Sequence, residues 1–138
     1  MENLALRIKL SVLWLFWIFG FLVHMFLALF EKGVIEQIIA GEFVGIQITS
    51  GAMLFFAIFM LVPLVMAPVS LILKDKANRW ANVVVGIVYT GLCVFDSIGT
   101  AIFDISALSA YAILMYISHI VASALIVWYA WKWPTQKA

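Results

Sequence analysis

Residues 10–30 read LSVLWLFWIFGFLVHMFLALF, a run in which Ser11 and His24 are the only side chains that are neither apolar nor glycine. At about 1.5 Å of rise per residue, a helix of this length reaches about 31 Å, the thickness of a bilayer's hydrocarbon core. Three more runs of the same character follow, at residues 49–73, 80–103 and 108–131. Across the 138 residues, hydrophobic types make up 67% and charged types 11%, with a mean hydropathy of +1.17. That composition excludes a soluble globular protein, and four spans leave no room for a second, soluble domain. Backbone groups in lipid must be satisfied within the segment, and these runs are too long and too unalternating for barrel strands. The sequence therefore predicts an all-α transmembrane four-helix bundle, one four-span domain over residues 1–138.

The basic residues orient it. Arg7 and Lys9 precede the first span, Lys74, Lys76 and Arg79 lie between the second and third, and Lys132 and Lys137 follow the fourth, leaving Lys32 alone on the other side. Basic loops stay in the cytoplasm, so both termini are expected inside. The first span follows a basic flank, as a signal peptide would, but it is too long for a signal core and no Ala-x-Ala site follows it. The long connection, residues 31–48, is patterned: Val34, Ile35, Ile38 and Ile39 recur at helical spacing, Glu36 and Gln37 take the other face, and Gly41 suits a left-handed cap. A short helix on the outer membrane surface is expected there, either as a loop tucked into the interface or as a lid over a site.

Pro63 and Pro68 interrupt the second span, and a kink near Val62 is expected. Trp128, Tyr129, Trp131 and Trp133 with Lys132, Trp80 with Arg79, and Trp14 and Trp17 read as an interfacial belt on the inner side. Asp75 and Asn78 are candidate caps for the third helix, and Pro134 a stop for the fourth. Cys93, the single cysteine, excludes an internal disulfide and reads as a small core filler.

Function narrows to ionisable residues inside the spans: His24, Asp96 and His119. Such groups are costly in hydrocarbon and belong in a bundle interior or a wet cavity. Tyr89, Cys93, Asp96, Thr100 and Asp104 form a polar stripe on the third span, Tyr111, Met115, Ser118 and Ala122 a mixed one on the fourth beside Tyr116 and His119, and His24 lies seven residues from Glu31. His24, Asp96, His119, Thr100, Tyr89 and Tyr116 are accordingly the candidate ligand-binding set. Three functions and one structural role compete. The first is a proton-coupled carrier or binder of a small solute. The second is a membrane haem protein with two axial histidines, whose estimated depths differ by about 7 Å. The third is an accessory subunit or homodimer packing through Gly86, Thr90, Gly91, Ser97, Gly99 and Ala101. Against all three stands Asp96 as interhelical glue. No metal-ligand spacing, nucleophile with its base, phosphate loop or basic nucleic-acid surface is present, so neither an enzyme nor a nucleic-acid partner is expected.

The stretch Lys76-Ala77-Asn78-Arg79-Trp80-Ala81-Asn82, followed by Val83-Val84-Val85-Gly86, the ending Trp128-Tyr129-Ala130-Trp131-Lys132-Trp133-Pro134 and the opening Lys9-Leu10-Ser11-Val12-Leu13-Trp14 resemble a family of small four-span prokaryotic membrane proteins of unknown function. The resemblance covers nearly the whole chain. It implies a multi-pass protein of a bacterial or archaeal plasma membrane and supplies no activity, substrate or site residue.

Overall fold

A computed structural model of the chain describes residues 2–43, 45–103 and 108–133. The helices are α1 (Glu2–Ala28), α2 (Val34–Ile39), α3 (Ser50–Ile72), α4 (Asp75–Phe103) and α5 (Ala110–Trp131), and a hairpin of β1 (Glu42–Phe43) and β2 (Ile46–Gln47) follows α2. α1, α3, α4 and α5 are long and apolar enough to cross a membrane. The fold is an all-α four-helix bundle, and the chain a membrane protein. α1 packs along α3 and α5, and α5 packs along α4, whereas α3 and α4 touch sparingly. One end of the bundle carries α2 and the hairpin; the other carries the Leu73–Lys74 joint, Arg7, Lys9 and Lys132. These are called the hairpin end and the basic end.

Two spans begin earlier than hydropathy alone suggests. α1 starts at Glu2 rather than Leu10, and α4 at Asp75 rather than Trp80, because helical hydrogen bonding does not stop where the apolar run does. Those extensions meet. Asp75 accepts from Arg7 Nη2 at 2.7 Å and from Asn3 Nδ2 at 2.9 Å, while Arg7 Nη1 donates to the Leu71 carbonyl at 2.8 Å. Asp75 and Asn78 were candidate caps for α4, but each is used across helices: Asn78 Nδ2 donates to the Ser70 carbonyl at 2.6 Å. The last carbonyls of α3, left over by its own ladder, thus find donors on α1 and α4.

α2 occupies the expected position, with Gly41 beyond it at φ 85° donating to the Ile38 carbonyl at 3.0 Å. The hairpin was not anticipated; its strands pair Glu42 with Gln47 and Phe43 with Ile46, and Gln47 Nε2 donates to Glu42 Oε1. α3 stays helical through both prolines. Pro63 has no N–H for the Phe59 carbonyl, and the Tyr89 hydroxyl of α4 donates to that carbonyl at 2.6 Å instead. Asp104 and Pro134 lie outside the described residues.

Burial is inverted relative to a soluble protein. Small and polar residues such as Ala67, Ser70, Asn78, Asn82, Ala122 and Ser123 are buried, and large ones such as Phe16, Phe19, Ile58 and Phe95 are exposed. Trp14 and Trp17, expected in the belt, have no exposed surface at all and anchor the core with Leu10, Tyr89 and Ile126. The remaining tryptophans keep the basic end: Arg79 lies over Trp80 and Trp131, Lys132 over Trp128, Lys9 over Tyr129 and Arg7 over Trp133. α4 meets α5 closely at Gly86, where a Cβ would stand 2.8 Å from Val127 Cγ2. Gly86 therefore belongs to packing inside the bundle, while Gly91 and Gly99 face open space.

Candidate functional site

Hydroxyls within a membrane helix commonly return to their own backbone, and Ser70, Thr90, Ser118 and Ser123 do so, each donating to the carbonyl four residues earlier. The side chains left for other work fall into two groups, one in each half of the bundle.

The group nearer the basic end is closed. Asn82 Oδ1 accepts from Trp14 Nε1 at 2.7 Å and from Ser70 Oγ at 3.1 Å, and Asn82 Nδ2 donates to Asn78 Oδ1 at 2.7 Å and to the Asn78 carbonyl at 2.9 Å. Three helices are tied at one level, and Trp14, Ser70, Asn78 and Asn82 are all fully buried. None of this network was anticipated, although Asn78 and Asn82 are one turn apart in a span, a spacing that places two amides on one face.

The group nearer the hairpin end is open. His119, on α5, is 3% exposed, and its Nδ1 lies 2.6 Å from the Met115 carbonyl. A carbonyl only accepts, so Nδ1 carries the proton and neutral His119 presents Nε2 as a bare acceptor. That atom is buried and has no hydrogen-bond partner among the described residues. It faces α1 at Gly20, where a Cβ would stand 3.2 Å away; glycine there makes room for the imidazole. His24, one turn further along α1, is half-buried and stacks near His119, the ring centroids 6.2 Å apart and the planes 26° from parallel. The depth offset estimated from the sequence is taken up by stacking, and the two imidazoles share a layer.

Aromatic rings enclose the pair. Trp17 and Phe21 meet His119 edge-on at 5.2 and 6.1 Å, and Tyr111 and Tyr116 meet His24 edge-on at 6.0 and 5.3 Å. Toward the hairpin end, the Tyr111 hydroxyl donates to Glu31 Oε1 at 2.6 Å. Toward α4, the Tyr116 hydroxyl lies 3.2 Å from Thr100 Oγ1, with the Asp96 carboxylate beside it and within electrostatic reach of His24. Asp96 itself is exposed, with its carboxylate on the side of α4 that meets Tyr116 of α5. Toward the basic end, Trp14, Trp17, Phe59 and Tyr89 form a plug of rings at centroid distances of 5.0–5.8 Å. Tyr89 is part of that plug, its hydroxyl committed to Phe59, so it stands apart from the other candidate ligands. Glu31, read from the sequence as lying seven residues from His24, completes the layer with Gly20 and the rings of Trp17 and Phe21; residue type alone could not single out these last three from the many apolar positions around them.

A haem does not fit this arrangement. An axial histidine needs iron and the porphyrin plane in front of its free nitrogen. The α1 backbone at Gly20 fills that position for His119. No group of three or more His, Cys, Asp or Glu side chains able to hold a metal ion occurs among the described residues.

No curated protein and no solved structure matches the chain. A family model does, over residues 4–138, its description being a family of unknown function, DUF6326. The chain belongs to that family.

Proposed function

We propose that this is a multi-pass protein of a prokaryotic plasma membrane, with both termini cytoplasmic and α2 outside, which accepts protons from the outside into the His24–His119 layer and couples them to the binding or movement of a small solute. The observation that carries the reading is the buried, unpartnered Nε2 of His119. Burying such an acceptor costs free energy unless something is delivered to it, and a proton is the smallest thing that fits. Glu31 and Tyr111 make the approach from the hairpin end. The ring plug closes the way to the basic end, which suits a site loaded from one side rather than an open channel. Orientation is supported by the basic residues gathered at the opposite end.

The test is proton uptake. In proteoliposomes with a pH dye in a weakly buffered external medium, an acid pulse is expected to be taken up to a greater extent by the wild type than by His119→Gln; equal uptake would remove the reading. Orientation is tested in a Cys93-free background, where an outside-only thiol reagent is expected to label a cysteine placed at Glu36 or Glu42 and to leave one at Lys76 untouched. A second reading, an accessory subunit or homodimer, draws on Gly91 and Gly99, whose Cβ directions are open. Native mass spectrometry in mild detergent with lipid retained separates it, since a strictly monomeric protein would count against self-association.

A further inference from the structure

We propose that Arg79, held against the Trp80 and Trp131 rings where α4 meets α5 at the basic end, binds the phosphate of an anionic phospholipid whose acyl chains lie along the two helices. The site is independent of the proton reading, which concerns the other half of the bundle.

The chain has two arginines, both at the basic end, and they are held differently. Arg7 directs its donors into the protein, to Asp75 and to the Leu71 carbonyl. Arg79 has no ion pair and no hydrogen bond among the described residues. Asp75 lies one turn before it on α4, a spacing that suits an ion pair, but the Asp75 carboxylate is taken by Arg7 and Asn3 of α1. What holds Arg79 is aromatic: its Cζ stands 5.8 Å from the Trp80 ring and 5.6 Å from the Trp131 ring, and the two indoles meet edge-on at 6.4 Å. Attraction to a ring uses the charge of the guanidinium and none of its five N–H donors. A planar fork of donors fixed at headgroup level by two indoles matches a pair of phosphate oxygens.

The surroundings suit the rest of a lipid. Lys76, three residues before Arg79, shares its face of α4 and is exposed, and Lys132 Nζ stands 3.9 Å from the Trp128 ring at the end of α5. Neither makes an ion pair among the described residues. These cations give the corner an excess of positive charge, which a zwitterionic headgroup leaves unbalanced and an anionic one neutralises. From the rings toward the membrane interior, Trp80, Val84 and Ile87 follow one face of α4, and Trp131, Trp128 and Val121 one face of α5, all of them exposed. A free phosphate ion has no use for those apolar faces; the chains of a lipid cover them.

The experiment is native mass spectrometry of the full chain in mild detergent, with dioleoylphosphatidylglycerol and dioleoylphosphatidylcholine offered in equal amounts. One retained phosphatidylglycerol per chain is expected, bound about tenfold or more tighter than phosphatidylcholine. Arg79→Gln should weaken it about tenfold, the worth of one charged hydrogen-bonding partner. Lys9→Gln, which removes a charge on α1 at the same end, should leave it unchanged. Arg79→Lys keeps the charge, gives up the fork and should restore only a small part of the affinity; if Arg79→Gln does not fold, this variant carries the test alone. Equal retention of the two lipids overturns the proposal. So does equal weakening by Lys9→Gln and Arg79→Gln, or full affinity in Arg79→Lys, since either outcome marks a diffuse attraction to positive charge. Displacement of the lipid by excess inorganic phosphate would make the site one for a free anion and overturn it as well. No outcome bears on proton uptake at His119, which is measured separately.

Discussion

The two halves of the bundle hold polar groups at similar depth and treat them in opposite ways. Nearer the basic end, Trp14, Ser70, Asn78 and Asn82 exchange hydrogen bonds among themselves, and Arg7, Asn3 and Asp75 close the surface beyond them. Trp133 Nε1, at the edge of the described residues, is the exception there. Nearer the hairpin end, His119 Nε2 and Trp17 Nε1 are buried without partners among the described residues, and Asp96 is exposed beside the Tyr116 hydroxyl. A network that is complete holds helices together and has no capacity to spare. A set with open valences gives up stability and keeps the capacity to bind. The closed half is read as the clamp of the bundle, and the open half as the place where it works.

The sharpest way to break the comparison is to open the closed half. Asn82→Leu deprives Trp14 Nε1 and Asn78 Oδ1 of their partner at once, while Ser70 keeps the Met66 carbonyl, and a loss of about 2–3 kcal/mol is expected, since each stranded buried group carries a penalty of about 1–3 kcal/mol partly offset by relaxation. Reversible unfolding in mixed micelles measures it; a loss under about 0.5 kcal/mol would mean that the network is ornament. Next in size is Gly86→Leu, which drives a side chain into Val127 and Ile126 on α5. About 1–3 kcal/mol is expected from overpacking, against a near-neutral Gly91→Leu facing open space. Equal effects at the two glycines would contradict the α4–α5 approach.

Much of this architecture was legible from composition and charge, because hydrocarbon imposes so few solutions on a backbone. The four spans, the short α2 and the turn at Gly41 follow from run length, 3.6-residue periodicity and glycine placement. Trp14 and Trp17 were misplaced for a physical reason: an indole near a span end reads as a belt residue unless its partner is known, and the partner of Trp14, Asn82, comes from another helix. The role of Tyr89 was hidden likewise, since it answers a vacancy created by Pro63 on α3. His24 and His119 could be named from their rarity in the spans, but their stacking depends on Gly20, an approach between helices that no single-helix periodicity encodes. The side chain of Asp96 was expected inward because a carboxylate is costly in lipid; it is exposed, yet its carboxylate lies beside the Tyr116 hydroxyl and within electrostatic reach of His24.

Smaller effects sharpen the contrast. Tyr89→Phe keeps the ring in the plug and removes one hydroxyl, leaving the Phe59 carbonyl with neither a helical nor a side-chain donor. A loss of about 1 kcal/mol is expected in the same unfolding assay, the ordinary worth of one such bond. If Tyr89→Phe is silent, the Pro63 gap is satisfied in some other way. Pro63→Ala made together with Tyr89→Phe restores the backbone N–H and should recover most of the loss.

The smallest expected effect on stability is also the most discriminating. His119 makes one hydrogen bond, from Nδ1 to the Met115 carbonyl, and keeps one buried acceptor unpaired. In His119→Met the first is given up and the second is removed, two changes of opposite sign and similar size, while the flexible thioether fills much of the ring's volume. The net change should stay within about 1 kcal/mol, well below that of Asn82→Leu, although both residues are almost completely buried. Were the two halves built alike, the two substitutions would cost the same. A large destabilisation by His119→Met, comparable with Asn82→Leu, would make the imidazole a structural member and undo the distinction between the halves. A small one, accompanied by loss of proton uptake in the liposome assay, would place function in the unsatisfied half.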